Sequence, residues 1–189
     1  MKGKVTLVTG GARSGKSSFA EKMCFDCGEK VGYIATAAAL DEGMVDRIKK
    51  HQLRRPDAWT TFEKQDHIDE IFAKDSSQAF DVFLLDCLTV LVTNIMLSDS
   101  SIDWDQVSRD RIDGIEDDIL NQVNKLVDIV LEKGHDLIVV TNEVGLGIVP
   151  ENRLARVFRD IAGKANELVA SRAQEVFFVV SGIPMKIKG

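Results

Sequence analysis

The segment Gly10-Gly11-Ala12-Arg13-Ser14-Gly15-Lys16-Ser17 fits the pattern G-x-x-x-x-G-K-[ST], and it constrains the chain more than any other feature. It follows the β-branched run Val5-Thr6-Leu7-Val8 and precedes a segment that reads as a helix from Ser17 to about Cys27. Strand, glycine-rich turn and helix in that order make an anion cradle. The glycines let backbone wrap closely around a phosphate chain, and the loop N–H groups turn inward. The helix N-terminus adds partial positive charge. Lys16 is expected to reach the β- and γ-phosphates, and the Ser17 hydroxyl to hold Mg²⁺. The predicted ligand is a nucleoside triphosphate.

The rest of the chain continues the alternation of short apolar runs and longer amphipathic segments. Strands are predicted at Val31 to Ala35, Thr60 to Glu63, Val82 to Leu85, Leu137 to Val140 and Val176 to Val180. Helices are predicted at Asp41 to His51, with Leu40, Met44 and Ile48 near one face, and at Ile68 to Ala73 and Leu88 to Leu97. Two longer ones follow: one from about Trp104 to Lys133, stopped by Gly134, and one that Pro150 opens or lies just before, running to about Ala173. Arg54-Arg55-Pro56-Asp57 breaks the pattern, because the residue before proline is pushed away from helix. Strand–helix alternation implies parallel pairing through right-handed crossovers. The expected architecture is one three-layer α/β domain with a mostly parallel sheet spanning residues 1–189. No repeat, linker or low-complexity stretch interrupts it.

Charge and cysteine content narrow the function. Lys plus Arg number 24 against 30 Asp plus Glu, a net charge of -6. That balance speaks against a protein that coats nucleic acid or anionic membrane. No apolar run approaches the roughly 20 residues that cross a bilayer, and Gly10-Gly11 interrupts the N-terminal apolar run before a secretory core forms. A soluble, cytoplasmic protein is expected. Three cysteines build no disulfide scaffold. Cys24 and Cys27 form a C-x-x-C, but no second pair completes a zinc site, and the motif lies within a helix rather than opening one.

A triphosphate cradle needs an acid at a strand's C-terminal edge to hold the metal or a water. Asp86 closes the run Val82 to Leu85 and is the first choice, although a strand-terminal Asp can also cap the next helix. Glu143 is the alternative. Asp81 begins its strand and belongs at the opposite edge. The densest positive charge is Lys49-Lys50-His51-Gln52-Leu53-Arg54-Arg55. Solvated helix ends are often basic, but a histidine among cations is kept neutral and is available as a nucleophile or base. His67 and His135 read as surface or capping residues. Arg153, Arg156 and Arg159 share a helical face, either paired with Glu151 and Asp160 or meeting phosphate or another subunit. Asp113, Glu116, Asp117 and Asp118 read as a solvated face.

Taken in order, these motifs resemble one family. They are Val8-Thr9 leading into the cradle, Tyr33-Ile34-Ala35-Thr36, Arg47-Ile48-x-x-His51-x-x-x-Arg55-Pro56 and Leu85-Asp86-Cys87-Leu88-Thr89. Val92-Thr93-Asn94, the run Thr141 to Asn152, Arg159 to Gly163 and Val180-Ser181-Gly182-Ile183-Pro184-Met185-Lys186 follow. Together they resemble the bifunctional adenosylcobinamide kinase/adenosylcobinamide-phosphate guanylyltransferases over essentially the whole chain. The resemblance implies a P-loop, RecA-like fold and two late steps of cobalamin assembly. ATP or GTP phosphorylates the aminopropanol hydroxyl of adenosylcobinamide. GMP then passes from GTP to that phosphate through a guanylylated histidine, which the motif places at His51. Nucleotide contacts are implied at Gly10 through Ser17, at Ile34, Ala35 and Thr36, at Gln52, Leu53, Arg54 and Arg55, at Glu63 and at Asp86. A homotrimer is implied as well. Two other readings compete: a nucleotide-dependent regulatory protein, and a simple small-molecule kinase in which His51 only contacts phosphate.

Overall fold

The β-branched runs pair side by side because each is apolar on both faces and must be covered twice. The computed structural model describes residues 3–28, 30–37, 55–73 and 79–189. The strands are β1 (Val5–Gly10), β2 (Val31–Ala35), β3 (Thr60–Glu63), β4 (Val82–Asp86), β5 (Asp136–Asn142), β6 (Glu175–Val180) and β7 (Ile183–Lys188). They form one sheet in the order β3-β2-β4-β5-β1-β6-β7. All pairings are parallel except β6 with β7. The expected helix from Asp41 to His51 lies outside the described residues.

Alternation along the strands builds two cores. Leu7, Phe83, Leu85, Leu137 and Val139 pack on one face with helices α2 (Leu88–Met96), α3 (Arg109–Glu132) and α4 (Arg153–Arg172). Val8, Val82, Leu84, Ile138 and Val140 turn to the other face, where α1 (Lys16–Cys27) contributes Ala20 and Cys24. Helix, sheet and helix make the three-layer α/β P-loop architecture that the alternation predicts.

The structure departs from the sequence reading at three points. The helix expected from Trp104 begins at Arg109, because Ser108 accepts the Arg111 N–H at 3.3 Å and so caps it. Upstream, the Asp103 carbonyl instead closes a turn onto the Gln106 and Val107 amides. Pro150 lies just before α4, as one of its two readings had it, and Asn152 caps the helix, its side chain accepting the Ala155 N–H at 2.8 Å. Second, β7 is an additional, antiparallel strand. Ser181 (φ 51°) and Gly182 (φ 81°) make a tight two-residue turn, the left-handed geometry that joins neighbouring strands. Third, His135 is buried rather than superficial. Its ring stands edge-on to Phe83 at 5.3 Å, and burial lowers its pKa.

The cysteines behave as small hydrophobes. Cys24 is buried and Cys27 exposed, and burial is the main cause raising both thiols above their ordinary range. Among the described residues, no helix is long and apolar enough to cross a membrane.

Candidate active site

Parallel pairing brings the C-terminal ends of six strands, β1 to β6, to one edge, the edge at which such sheets bind ligands. In register, Glu63 lies beside Ala35 and Ala35 beside Asp86. On the other side of β5, Gly10 lies beside Asn142. Glu63, Ala35, Asp86 and the cradle thus share one rim. The strand carrying Asp86 is not the direct neighbour of β1, since β5 runs between them.

The cradle has the shape its glycines require. A Cβ on Gly10 would stand 2.5 Å from the Val179 carbonyl oxygen and 2.8 Å from Ser14 Oγ. Gly15 takes φ 94° where α1 begins, a left-handed conformation that a side chain would strain. Gly182 N–H donates to the Ser14 carbonyl at 2.8 Å, so the β6–β7 turn supports the loop from behind. Gly10→Ala must displace backbone on β6, at about 1–3 kcal/mol for such overpacking. Its melting temperature is expected to fall by about 2–12 °C, taking about 2–4 °C per kcal/mol for a chain of this size. An unchanged melting curve would show that β6 yields freely.

Lys16 is buried at the start of α1, and its Nζ donates to the Gly11 carbonyl at 3.0 Å. The ammonium thus lies folded across its own loop, within the cradle. Ser17 is half-buried in the first turn. Ser14 Oγ, also buried, makes no hydrogen bond, although the loop amides around it are of the kind that bind phosphate. Arg13, Ala12 and Gly11 are exposed.

Asp86 ends β4 half-buried, and its Oδ2 accepts the Tyr33 hydroxyl at 2.7 Å. The next residue, Cys87, reports on both charges of the site. Burial chiefly raises its thiol, the Asp86 carboxylate raises it further, and the Lys16 ammonium opposes them. The N-cap of α2 is Cys87 rather than Asp86. Glu143 sits nearer the cradle by backbone, its N–H donating to the Gly10 carbonyl at 3.0 Å. Its carboxylate, however, accepts the Gly145 N–H at 2.6 Å and so closes its own loop.

The remaining predicted contacts divide sharply. Ile34 is buried in the core on the α2–α4 face, so only its backbone can meet a ligand. Thr36 is fully buried, and its hydroxyl accepts the Cys87 N–H at 2.8 Å while donating to the Cys87 carbonyl at 3.0 Å. That reciprocal pair clasps the end of β2 to the end of β4, and Asn94 Nδ2 adds a bond to the Thr36 carbonyl at 2.8 Å. Arg55 lies over the Tyr33 ring, with Cζ 3.3 Å from its centroid. Glu63 is exposed at the rim. His51, Gln52, Leu53 and Arg54 lie outside the described residues. The arginine face of α4 is engaged elsewhere. Arg153 donates to the Asp105 and Val107 carbonyls, Arg156 to those of Pro150 and Glu151, and Arg159 pairs with Asp160.

Sequence reasoning missed Tyr33, Thr89 and Asn142 as parts of the site. Asn142 Nδ2 donates to Thr89 Oγ1 at 2.8 Å, and Thr89 in turn meets the Cys87 sulfur at 3.2 Å. Tyr33 offered a signal, being the single tyrosine of the chain and lying two residues from the end of β2, whose C-terminal end reaches the same rim as the cradle.

The donor set suits a hard cation. Among the described residues, no three His, Cys, Asp or Glu side chains gather into an all-protein metal site. Asp86 and Ser17 offer oxygen only, and a nucleotide's phosphates supply the rest, the sparse protein ligation that Mg²⁺ favours.

Comparison with known proteins agrees with this geometry. The family described as cobinamide kinase / cobinamide phosphate guanyltransferase matches residues 6–187. The bifunctional adenosylcobalamin biosynthesis protein CobU of Escherichia coli (strain K12) is 46% identical over 186 residues, 96% of this chain and 98% of its own. The CobU of Salmonella typhimurium (strain LT2) is 45% identical over 186 residues, with the same coverage of 96% and 98%. The bifunctional adenosylcobalamin biosynthesis protein CobP of Pseudomonas aeruginosa (strain PAO1) is 38% identical over 183 residues, covering 97% of this chain and 96% of its own.

Proposed function

The chain belongs to the cobinamide kinase / cobinamide phosphate guanyltransferase family, and from that premise we propose how one rim of the sheet serves both reactions. It is a kinase toward cobinamide and a guanylyltransferase toward cobinamide phosphate. In the kinase step the cradle from Gly10 to Ser17 holds the triphosphate of ATP or GTP. The aminopropanol hydroxyl of adenosylcobinamide attacks the γ-phosphorus in line, and Lys16 offsets the charge that spreads over the β- and γ-oxygens. Mg²⁺, held through Ser17 and Asp86, would neutralise phosphate charge and fix the chain's direction.

In the transferase step the same cradle binds GTP, and pyrophosphate is the leaving group. His51 acts as the nucleophile on the α-phosphorus, and Gln52, Leu53, Arg54, Arg55 and Glu63 flank the nucleotide. Ile34, Ala35 and Thr36 contribute through backbone, since the Thr36 hydroxyl already serves Cys87. The observation that carries the reading is the sheet register, in which Ala35 lies beside Asp86 and Gly10 beside Asn142, so that the acid and the cradle come to one rim. The test is to incubate the protein with adenosylcobinamide, Mg²⁺ and ATP or GTP, and to follow the corrinoid by mass spectrometry. A phosphate gain followed, with GTP, by a GMP gain is expected. A corrinoid mass that never changes would overturn the proposal.

A single domain working as a homotrimer in the cytoplasm completes the proposal. Free thiols at Cys24, Cys27 and Cys87 suit a reducing compartment. The α4 arginines do not support assembly, because Arg153 and Arg156 hold backbone carbonyls and Arg159 pairs with Asp160. Support comes instead from the outer hairpin, where Ile183, Met185 and Ile187 are exposed on the edge strand β7 and Val180 at the end of β6. Light scattering should give about three chain masses at micromolar concentration. A monomer there would refute the trimer.

A further inference from the structure

Tyr33 lies on the face of β2 that packs under α1, beside Leu84 in the register, and its ring is buried with Val31, Leu84 and Trp59. A buried ring in that position needs no hydroxyl for packing. This one carries its hydroxyl to Asp86 Oδ2 at 2.7 Å, across from β2 to the end of β4. Burial first, and then the Asp86 charge, raise the phenol far above its ordinary range, so it stays protonated and remains the donor. Arg55 covers the ring at 3.3 Å while its Nη1 donates to Thr61 Oγ1 on β3 at 3.2 Å. The Trp59 ring lies 6.4 Å away at an interplanar angle of 29°. The phenol is thus held by packing, by a cation and by a neighbouring strand.

We propose that Tyr33 is a positioning residue for the metal-side acid, fixing the Asp86 carboxylate at the rim so that it meets the nucleotide-bound cation already oriented. This rests on the reading of Asp86 as that acid. A carboxylate at a strand end swings about two side-chain torsions. A hydrogen bond from a group that cannot itself move removes most of that freedom before the metal arrives, as outer partners of metal ligands commonly do. The bond also lowers the carboxylate's need for water on that side. Arg55 fixes the phenol by lying on its face rather than by competing for its hydroxyl. The chain's only tyrosine is therefore placed where a phenylalanine would fill the same space.

Tyr33→Phe keeps the ring, the Arg55 contact and the Trp59 packing, and removes the hydroxyl alone. Four proteins are compared: wild type, Tyr33→Phe, Asp86→Asn and the double variant. Mn²⁺ binding to each complex with a non-hydrolysable GTP analogue is measured by electron paramagnetic resonance, and the Mg²⁺ dependence of the kinase step is measured beside it. Tyr33→Phe is expected to raise the half-saturating metal concentration about tenfold, the scale of lost outer partners. The loss should fall on metal half-saturation rather than on kcat at saturating metal. The double variant should bind metal no more weakly than Asp86→Asn alone, because the phenol acts only through that carboxylate. If Asp86→Asn weakens metal binding and Tyr33→Phe does not, Tyr33 is packing and the inference falls while the Asp86 assignment stands. If Asp86→Asn leaves metal binding unchanged, the Asp86 assignment falls, taking the inference with it, and the metal role passes to Glu143.

Discussion

Lys16→Ala should abolish both phosphorylation and guanylyl transfer, with kcat/KM lower by about 10³-fold or more. The scale follows from the loss of one preorganised donor to a developing oxyanion, about 10²–10³, together with the loss of a full charge aimed at the triphosphate. Lys16 is buried and its ammonium already lies across the loop, on the Gly11 carbonyl. Binding a triphosphate therefore requires a short swing rather than the ordering of a long, free side chain, so most of its interaction energy reaches the transition state. Lys16→Arg is expected to fail nearly as badly. The loop is shaped for a compact point charge, and a planar guanidinium needs more room than a site beside the Gly11 carbonyl provides. Both steps fall together because both use the same cradle, which separates this prediction from one about the histidine. Circular dichroism of Lys16→Ala should match wild type. Kinase turnover near normal at saturating nucleotide would remove Lys16 from the mechanism.

The part of this site legible from residues was the part that depends on backbone. Gly10 to Ser17 announces its cradle because only glycine tolerates the approach of Val179 and the left-handed turn at Gly15. Asp86 was legible because an acid closing an apolar run must emerge at a strand end. What pairing decides was hidden. Nothing in the local pattern says that β5 lies between β1 and β4, so Asp86 reads as the nearer neighbour of the cradle than it is. Nor can spacing show that the Thr36 hydroxyl is consumed by Cys87, 51 residues away, or that Tyr33 reaches Asp86 across 53 residues. Long-range hydrogen bonds leave no period in the sequence. The α4 arginines show a further limit. Their i, i+3, i+6 spacing is real, but a shared face says nothing about what covers it: loop carbonyls engage Arg153 and Arg156, and only Arg159 makes the expected surface pair, with Asp160. The last strand escaped because Ile183 to Lys188 is exposed along its length, and a strand with no buried face has no alternation to read.

The second large effect concerns His51. Incubation with α-labelled GTP and Mg²⁺, without corrinoid, is expected to leave labelled GMP on the protein, whereas γ-labelled GTP leaves nothing. The reason lies in the sequence, where Lys49, Lys50, Arg54 and Arg55 flank His51 along the chain with like charge. Such neighbours favour the neutral ring and draw the triphosphate toward it. An imidazole nitrogen then attacks the α-phosphorus, a P–N bond forms, and the bond to the β-phosphate oxygen breaks as pyrophosphate departs. The ring's other nitrogen gives up its proton, and a phosphoramidate remains. In the second half, a phosphate oxygen of adenosylcobinamide phosphate attacks the same phosphorus. The P–N bond breaks, the imidazole recovers its proton, and adenosylcobinamide-GDP leaves. Dividing the transfer in two lets one nucleotide site act before the corrinoid phosphate arrives. The label should be lost in acid and persist in base, unlike a serine or carboxylate ester. His51→Ala should lose both the label and the transferase step, at least 10³-fold as an order-of-magnitude scale for a lost nucleophile (about 10⁴ or more in comparable cases). Its kinase step, which needs the cradle, Lys16 and the metal-side acid, should persist in part. Label retained in His51→Ala would move the nucleophile to another residue. No label on wild type under any nucleotide would leave the rim a kinase site alone, with His51 reduced to a phosphate contact.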